Sequence, residues 1–230
     1  MRFCYDPGVG AFEVAFVRAL PHGLCVGVAL PEEDAGSGAA LGRLLPAERA
    51  FADALAPARR TTFVGGRLAL REALVRARLE APAVLPDARG APSLPAGIAG
   101  SISHKRTLAV ALVAPGQATL GVDVELFDRL PRFDIARHVL ADDELAEVTD
   151  VRQLLVRFSI KEALYKAIDP HVHRYVGFKE VTVRPSPDGQ VSVALRLVPP
   201  APDGLDVSCL WERLDADAGV LATARIRQGA

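Results

Sequence analysis

Phe158-Ser159-Ile160-Lys161-Glu162-Ala163-Leu164-Tyr165-Lys166 is the stretch on which the reading of this chain turns. At about 100° per residue, Glu162 and Lys166 lie roughly 40° apart, one turn from each other on the same helix face. Apolar residues take much of the remaining circumference: Leu154, Leu155, Val156, Phe158, Ile160, Ala163, Leu164 and Ile168. A helix that is apolar on several sides is expected inside a fold, so the acid and the ammonium that emerge from it need partners. Read alone, the two residues also fit a simple surface Glu–Lys pair, worth roughly a few tenths of a kcal/mol.

A weaker copy of the pattern lies 95 positions upstream, where Phe63 aligns with Phe158, Arg67 with Glu162 and Arg71 with Lys166. Each copy follows a shorter, acid-containing helical stretch and precedes strand-like segments. The expected architecture is α+β: a pseudo-two-fold repeat of two similar lobes, each a small, mainly antiparallel sheet packed on a long helix. The boundary is expected near Pro115-Gly116, dividing the chain into lobes 1–116 and 117–230. A ligand commonly sits between two such halves.

Helical patterns are expected after Pro46 and over about 59–79, 133–140, 142–148 and 151–168. Strands are expected at about 24–30, 107–114, 120–127, 181–183, 191–198, 206–214 and 220–226, with loops over 32–40 and 82–100.

Two more polar clusters flank the long helices. In Gly121-Val122-Asp123-Val124-Glu125, strand alternation puts Asp123 and Glu125 on one face, with Cα atoms about 6 to 7 Å apart. Two carboxylates so placed repel unless a hard divalent cation or solvent lies between them. The segment therefore reads either as half of an ion site or as an exposed acidic strand face. Gly100-Ser101-Ile102-Ser103-His104-Lys105-Arg106, after Arg89-Gly90-Ala91-Pro92, reads as a loop of hydroxyls, an imidazole and cations able to hold phosphate, or as a solvated turn.

Other candidates lack context. His171-Val172-His173 has no companion ligands at metal spacing and reads as loop. Gly65-Gly66 has no Walker or dinucleotide pattern around it, and Ser101 and Ser103 have no esterase elbow. Cys4, Cys25 and Cys209 are far apart and odd in number, which suits reduced thiols in a cytoplasmic protein.

With 50% hydrophobic and 24% charged residues among 230, the chain is expected to fold rather than stay disordered. A net charge of -1 argues against nucleic acid as the main partner. The apolar run over 108–114 is far shorter than the ~20 residues of a membrane span. The first residues lack the apolar core of a leader peptide, so the expected location is cytoplasmic.

Taken in order, these clusters resemble the 4′-phosphopantetheinyl transferase superfamily. Its pattern is a G-x-D-x-E strand followed, after a spacer, by W/F-x-x-K-E-A-x-x-K. Here Glu162 follows Glu125 by 37 positions, and every signature position is filled, with Phe158 in place of the commoner tryptophan. Ser103-His104 matches the family's S-H element and Arg89-Gly90-Ala91-Pro92 its K/R-G-x-P loop. Arg59, Arg60 and Arg67 resemble the basic helix of the longer members. The resemblance spans about residues 59–166. Length and internal repeat suit the monomeric, two-lobed branch of the enterobactin-synthetase component D type.

The resemblance implies transfer of the 4′-phosphopantetheine of coenzyme A to a serine of an apo acyl or peptidyl carrier protein, with release of 3′,5′-ADP. It implies Mg²⁺, with Mn²⁺ as an alternative, held by Asp123, Glu125 and Glu162. Glu162, Lys166 and Asp123 would be the catalytic residues, with Glu162 also accepting the serine proton. Arg59, Arg60, Arg67, Arg89, Ser103, His104 and Lys166 would bind coenzyme A. The carrier is expected to dock at the rim around residues 132–138. Two rival readings use the same side chains: an Mg²⁺-dependent nucleotide or pyrophosphate hydrolase, and a non-catalytic coenzyme A-binding protein.

Overall fold

Pro46 and Pro57 each open a helix, because a proline ring presets φ for a first helical turn and the missing N–H has no helical partner there. The computed structural model describes residues 10–31, 37–132 and 135–229. The chain divides into two compact units, Met1–Gln117 and Ala118–Ala230.

The first unit contains β1 (Val14–Leu20), β2 (Gly23–Ala29), α1 (Ser37–Leu41), α2 (Pro46–Asp53), α3 (Pro57–Arg76), β3 (Ile98–Lys105) and β4 (Leu108–Pro115). Its four strands form an antiparallel sheet in the order β1-β2-β4-β3. Val26 and Val28 on β2 and Ala111 and Val113 on β4 pack with Ala69, Leu70, Ala73 and Leu74 of α3 in one buried cluster. Gly65 sets how closely α3 approaches: a Cβ there would fall 2.1 Å from Leu30 Cδ2 and 3.3 Å from Ala109 Cβ. The Gly65-Gly66 pair is thus a packing feature. α3 stops at Arg76, short of the expected residue 79, because Ala77 caps it and Arg78 turns to φ 57°.

The second unit contains β5 (Thr119–Leu126), α4 (Ala136–Val139), α5 (Asp142–Leu145), α6 (Val151–Val172), a 3₁₀ turn (Phe178–Glu180), β6 (Val181–Pro185), β7 (Val191–Leu195), β8 (Leu205–Arg213) and β9 (Gly219–Gln228). β5, β9 and β8 form one antiparallel sheet, with β9 central, while β6 and β7 form a hairpin. Asp150 starts α6 by accepting from the Arg152 and Gln153 amides at 2.8 and 2.9 Å. Ile160, Ala163, Leu164, Ala167 and Ile168 of α6 are fully buried with Val220, Ala222, Ala224 and Ile226 of β9.

Both units are therefore α+β, each a long helix laid on a small antiparallel sheet. No helix among the described residues is long and apolar enough to cross a membrane. Several local expectations need correction. β1 has no counterpart among the expected strands, because a bulge between Val14 and Phe16 buries Ala15 and Phe16 side by side and breaks the alternation. Residues 32–36 of the expected 32–40 loop lie outside the described residues, and the rest of it enters α1. Of the helix expected over 133–140, Phe133 and Asp134 also lie outside them.

Candidate active site

Gly121 decides which way the acidic strand faces. A Cβ on Gly121 would fall 1.7 Å from the Ala163 carbonyl oxygen and 3.1 Å from the Ala167 nitrogen, so this face of β5 lies directly against α6. Side chains alternate along a strand, so Asp123 and Glu125 share that face while Val122 and Val124 point the other way. Both acids are buried, at 5% and 4% exposure, which rules out the reading of an exposed acidic strand.

α6 runs antiparallel to β5. At one end His171 Nε2 lies 2.9 Å from Thr119 Oγ1, and at the other the Arg152 guanidinium stands 5.2 Å over the Phe127 ring. His171 is thus in the last turn of α6 rather than in the expected loop, and His173 caps the helix with φ 50°. Between these ends Lys166 Nζ donates to the Val122 carbonyl at 2.8 Å and to Asp123 Oδ1 at 2.9 Å. Lys166 therefore joins the acidic strand rather than serving as a plain surface partner of Glu162. Glu162, half-buried, lies one turn back along α6, in the direction that runs from Asp123 toward Glu125.

This donor set suits a hard divalent cation. Three carboxylates offer the oxygen ligands such an ion takes. The side chains are not gathered around such an ion: among the described residues no three His, Cys, Asp or Glu side chains are arranged to hold one.

Lys161, which precedes Glu162, carries no expected role, yet it is fully buried. Its ammonium donates to Glu144 Oε2 at 2.5 Å, to the Val139 carbonyl at 2.9 Å and to the Phe178 carbonyl at 2.9 Å. Burial pulls its pKa down, and the bond to Glu144 opposes that shift. Glu144 also accepts from the Ala141 amide at 2.8 Å and the Val183 amide at 2.9 Å.

The first unit has the same device. Glu48 on α2 accepts from the Leu45 amide at 3.1 Å, from the Val84 amide at 3.0 Å and from Arg71. The ion pair that Arg71 makes with Glu48 is made in the second unit by Lys161 with Glu144, while Lys166, which the 95-residue offset aligns with Arg71, pairs with Asp123.

The remaining expected residues lie in the first unit. Arg67 is buried at 6% exposure, donates from Nε to the Val84 carbonyl at 2.6 Å and lies 4.6 Å over the Phe63 ring. Burial pulls its guanidinium down to about 10, so it remains a cation at neutral pH. Arg60 donates to the carbonyls of Ala52, Asp53 and Leu55, closing the C-terminal end of α2. Arg59 is exposed on the first turn of α3, and Arg89 is exposed in a turn where its amide meets Asp87 Oδ1 at 2.8 Å.

The phosphate loop expected over 100–106 is mostly strand β3. Ile102 faces α3, where a Cβ on Gly66 would come within 3.0 Å of it, and the exposed His104 shares that face. Ser101 and Ser103 are buried on the opposite face. Ser103 and His104 therefore leave β3 in opposite directions, as strand alternation requires.

A buried D-x-E strand clamped to a K-E-A-x-x-K helix defines the class of protein. The family model described as the 4′-phosphopantetheinyl transferase N-terminal domain matches residues 47–114. The model of the 4′-phosphopantetheinyl transferase superfamily matches residues 119–213. The chain is 33% identical over 190 residues to the 4′-phosphopantetheinyl transferase Svp of Streptomyces mobaraensis, covering 79% of this chain and 77% of that one. It is 33% identical over 143 residues to the 4′-phosphopantetheinyl transferase Npt of Nocardia iowensis, covering 60% of this chain and 64% of that one. The chain belongs to the 4′-phosphopantetheinyl transferase superfamily and is an enzyme of that class. Among solved structures, a holo-(acyl-carrier-protein) synthase from Bacillus anthracis in complex with CoA (3′,5′-ADP) matches 48% of this chain and 96% of its own, at 16% identity and a TM-score of 0.38.

Proposed function

We propose that the chain transfers 4′-phosphopantetheine from coenzyme A to a serine of an apo acyl or peptidyl carrier protein and releases 3′,5′-ADP, acting as a cytoplasmic monomer. The observation that carries this reading is the clamp of α6 on β5, in which Lys166 bonds to Asp123 one turn from Glu162. In the reaction the serine oxygen attacks the phosphorus next to pantetheine, and the bond from that phosphorus to the 3′,5′-ADP oxygen breaks. Glu162 accepts the serine proton, directly or through a water. Lys166 meets the charge that develops on the departing phosphate. Mg²⁺, or Mn²⁺ in its place, would be held by Asp123, Glu125 and Glu162 and would supply charge stabilisation at the pyrophosphate.

Arg67, Arg59, Arg60 and His104 are assigned to the 3′-phosphate and adenine end, with Arg89 and Ser103 completing the nucleotide site. Arg60 and Ser103 are the weakest members of that set, since one is bonded to the end of α2 and the other is buried on β3. The exposed Arg137 and His138 on α4 are assigned to carrier docking.

Incubation with Mg²⁺, coenzyme A and a panel of apo carriers is expected to add the mass of one phosphopantetheine to at least one of them. Release of 3′,5′-ADP with no mass gain would identify a hydrolase. Coenzyme A binding with neither product would identify a non-catalytic binder. Arg67→Met, which keeps most of the stem's volume, is expected to weaken coenzyme A by about 10- to 100-fold, the strength of a charged hydrogen bond to phosphate. Dephospho-coenzyme A should bind nearly as before. Calorimetric titration with both ligands checks this, and equal weakening removes Arg67 from the 3′-phosphate site.

A further inference from the structure

Lys161 has no capacity left for a ligand. A lysine ammonium has three N–H donors, and here one meets Glu144, one the Val139 carbonyl and one the Phe178 carbonyl, with the side chain wholly out of solvent. These acceptors come from the end of α4, from α5 and from the 3₁₀ turn before β6, while Glu144 reaches β6 itself through the Val183 amide. One side chain thus ties three segments to α6 directly and a fourth through Glu144.

Two positions further on, Ala163 presses its backbone against Gly121 of β5. Lys161 and Ala163 stand about 100° to either side of Glu162 around the helix axis. The residue between the two anchors is fixed in both rotation and translation.

We propose that Lys161 and Glu144 form a buried positioning pair that fixes Glu162 for proton transfer, and that Lys161 does not bind coenzyme A. The inference rests on the catalytic role given to Glu162 above. The Glu48–Arg71 pair of the first unit supplies an internal control, because it anchors its long helix in the same way with no assigned catalytic glutamate beside the cation.

The test uses the full chain and compares Lys161→Met, Glu144→Gln and Arg71→Met. Unfolding midpoints are measured, and kcat and KM for coenzyme A are determined well below each variant's midpoint. Lys161→Met is expected to melt on the order of 10 °C lower. It should also lose about 100-fold in kcat, the scale of an ångström-sized misplacement, with KM for coenzyme A little changed. Glu144→Gln, which keeps its volume and an acceptor oxygen, should show the same kcat loss and secures the test if Lys161→Met does not fold. Arg71→Met should melt lower and keep kcat.

Unchanged kcat in the folded Lys161 and Glu144 variants would overturn the inference, reducing the pair to a stability element. A rise in KM with kcat intact would overturn it in favour of direct ligand binding. If the wild-type chain transfers nothing to any carrier, the functional reading fails and the inference falls with it; if wild type transfers and the variants keep pace, only the inference fails.

Discussion

Glu162→Gln is expected to reduce carrier modification by about 10²- to 10⁴-fold, the contribution of a positioned general base, while coenzyme A still binds. The substitution keeps the size and shape of the side chain, so the packing of α6 on β5 through Ala163 and Gly121 is retained. What it removes is one negative charge and one proton acceptor. With Glu162 in its proposed roles, both changes act on the reacting end of the substrate: an amide takes no proton from the attacking serine and is a poorer ligand for a divalent ion. Under the proposed assignment the nucleotide end is held by other groups, Arg67 foremost, so ground-state affinity should survive. The loss then falls on kcat, as expected for an interaction made in the transition state. Initial rates of holo-carrier formation by mass spectrometry, with calorimetric titration of coenzyme A, separate the two quantities. Turnover within tenfold of wild type would rule out Glu162 both as base and as metal ligand.

The parts of this site that were legible in the sequence are those written in a short period. Alternation in Gly121-Val122-Asp123-Val124-Glu125 places both acids on one face, and the four-residue spacing of Glu162 and Lys166 places them on one helical stripe. Where local geometry breaks the period, the sequence misleads. The bulge at Val14/Phe16 hides β1, and the small hydroxyls and cations of Ser101-Ile102-Ser103-His104-Lys105 look like loop, although their alternation is that of a strand.

The buried Glu144–Lys161 pair was illegible for another reason. Two of Lys161's three acceptors are backbone carbonyls, which every residue carries, and their positions are set only by the fold. A partial signal was present. Glu48 and Glu144 each stand at the third position of a short helix, where a glutamate reaches back to the amide before the first turn. That signal marks a helix start without disclosing that the same carboxylate goes on to bind a cation from the long helix. Nor does the alignment of Arg71 with Lys166 disclose it: both are cations late in a long helix, and only contacts show that Lys161 takes the anchoring role.

Gly121→Ala is expected to be the most damaging glycine-to-alanine change among the described residues. Its new Cβ would lie 1.7 Å from the Ala163 oxygen, 2.8 Å from the Ala163 carbon and 3.1 Å from the Ala167 nitrogen, all of them helix backbone. No rotamer change relieves such a clash, so α6 must move off β5. By contrast, a Cβ at Gly65 meets first the end of the Leu30 side chain, which can turn away. Overpacking on this scale costs about 3 kcal/mol or more, which in a chain of this size lowers the unfolding midpoint by about 6 to 12 °C. Gly65→Ala should cost less.

Stability is only half of the expected effect. Lys166 reaches Asp123 because α6 and β5 touch, so any separation lengthens that contact and carries Glu162 away from the acidic strand. Gly121→Ala protein that is still folded at low temperature should therefore transfer far more slowly than Gly65→Ala protein of equal folded fraction. Thermal melts and initial rates on both variants decide the matter. A Gly121→Ala chain with wild-type melting and wild-type rate would mean that α6 does not rest on β5 at this depth. The glycine of the G-x-D-x-E strand would then play no part in setting α6 against β5.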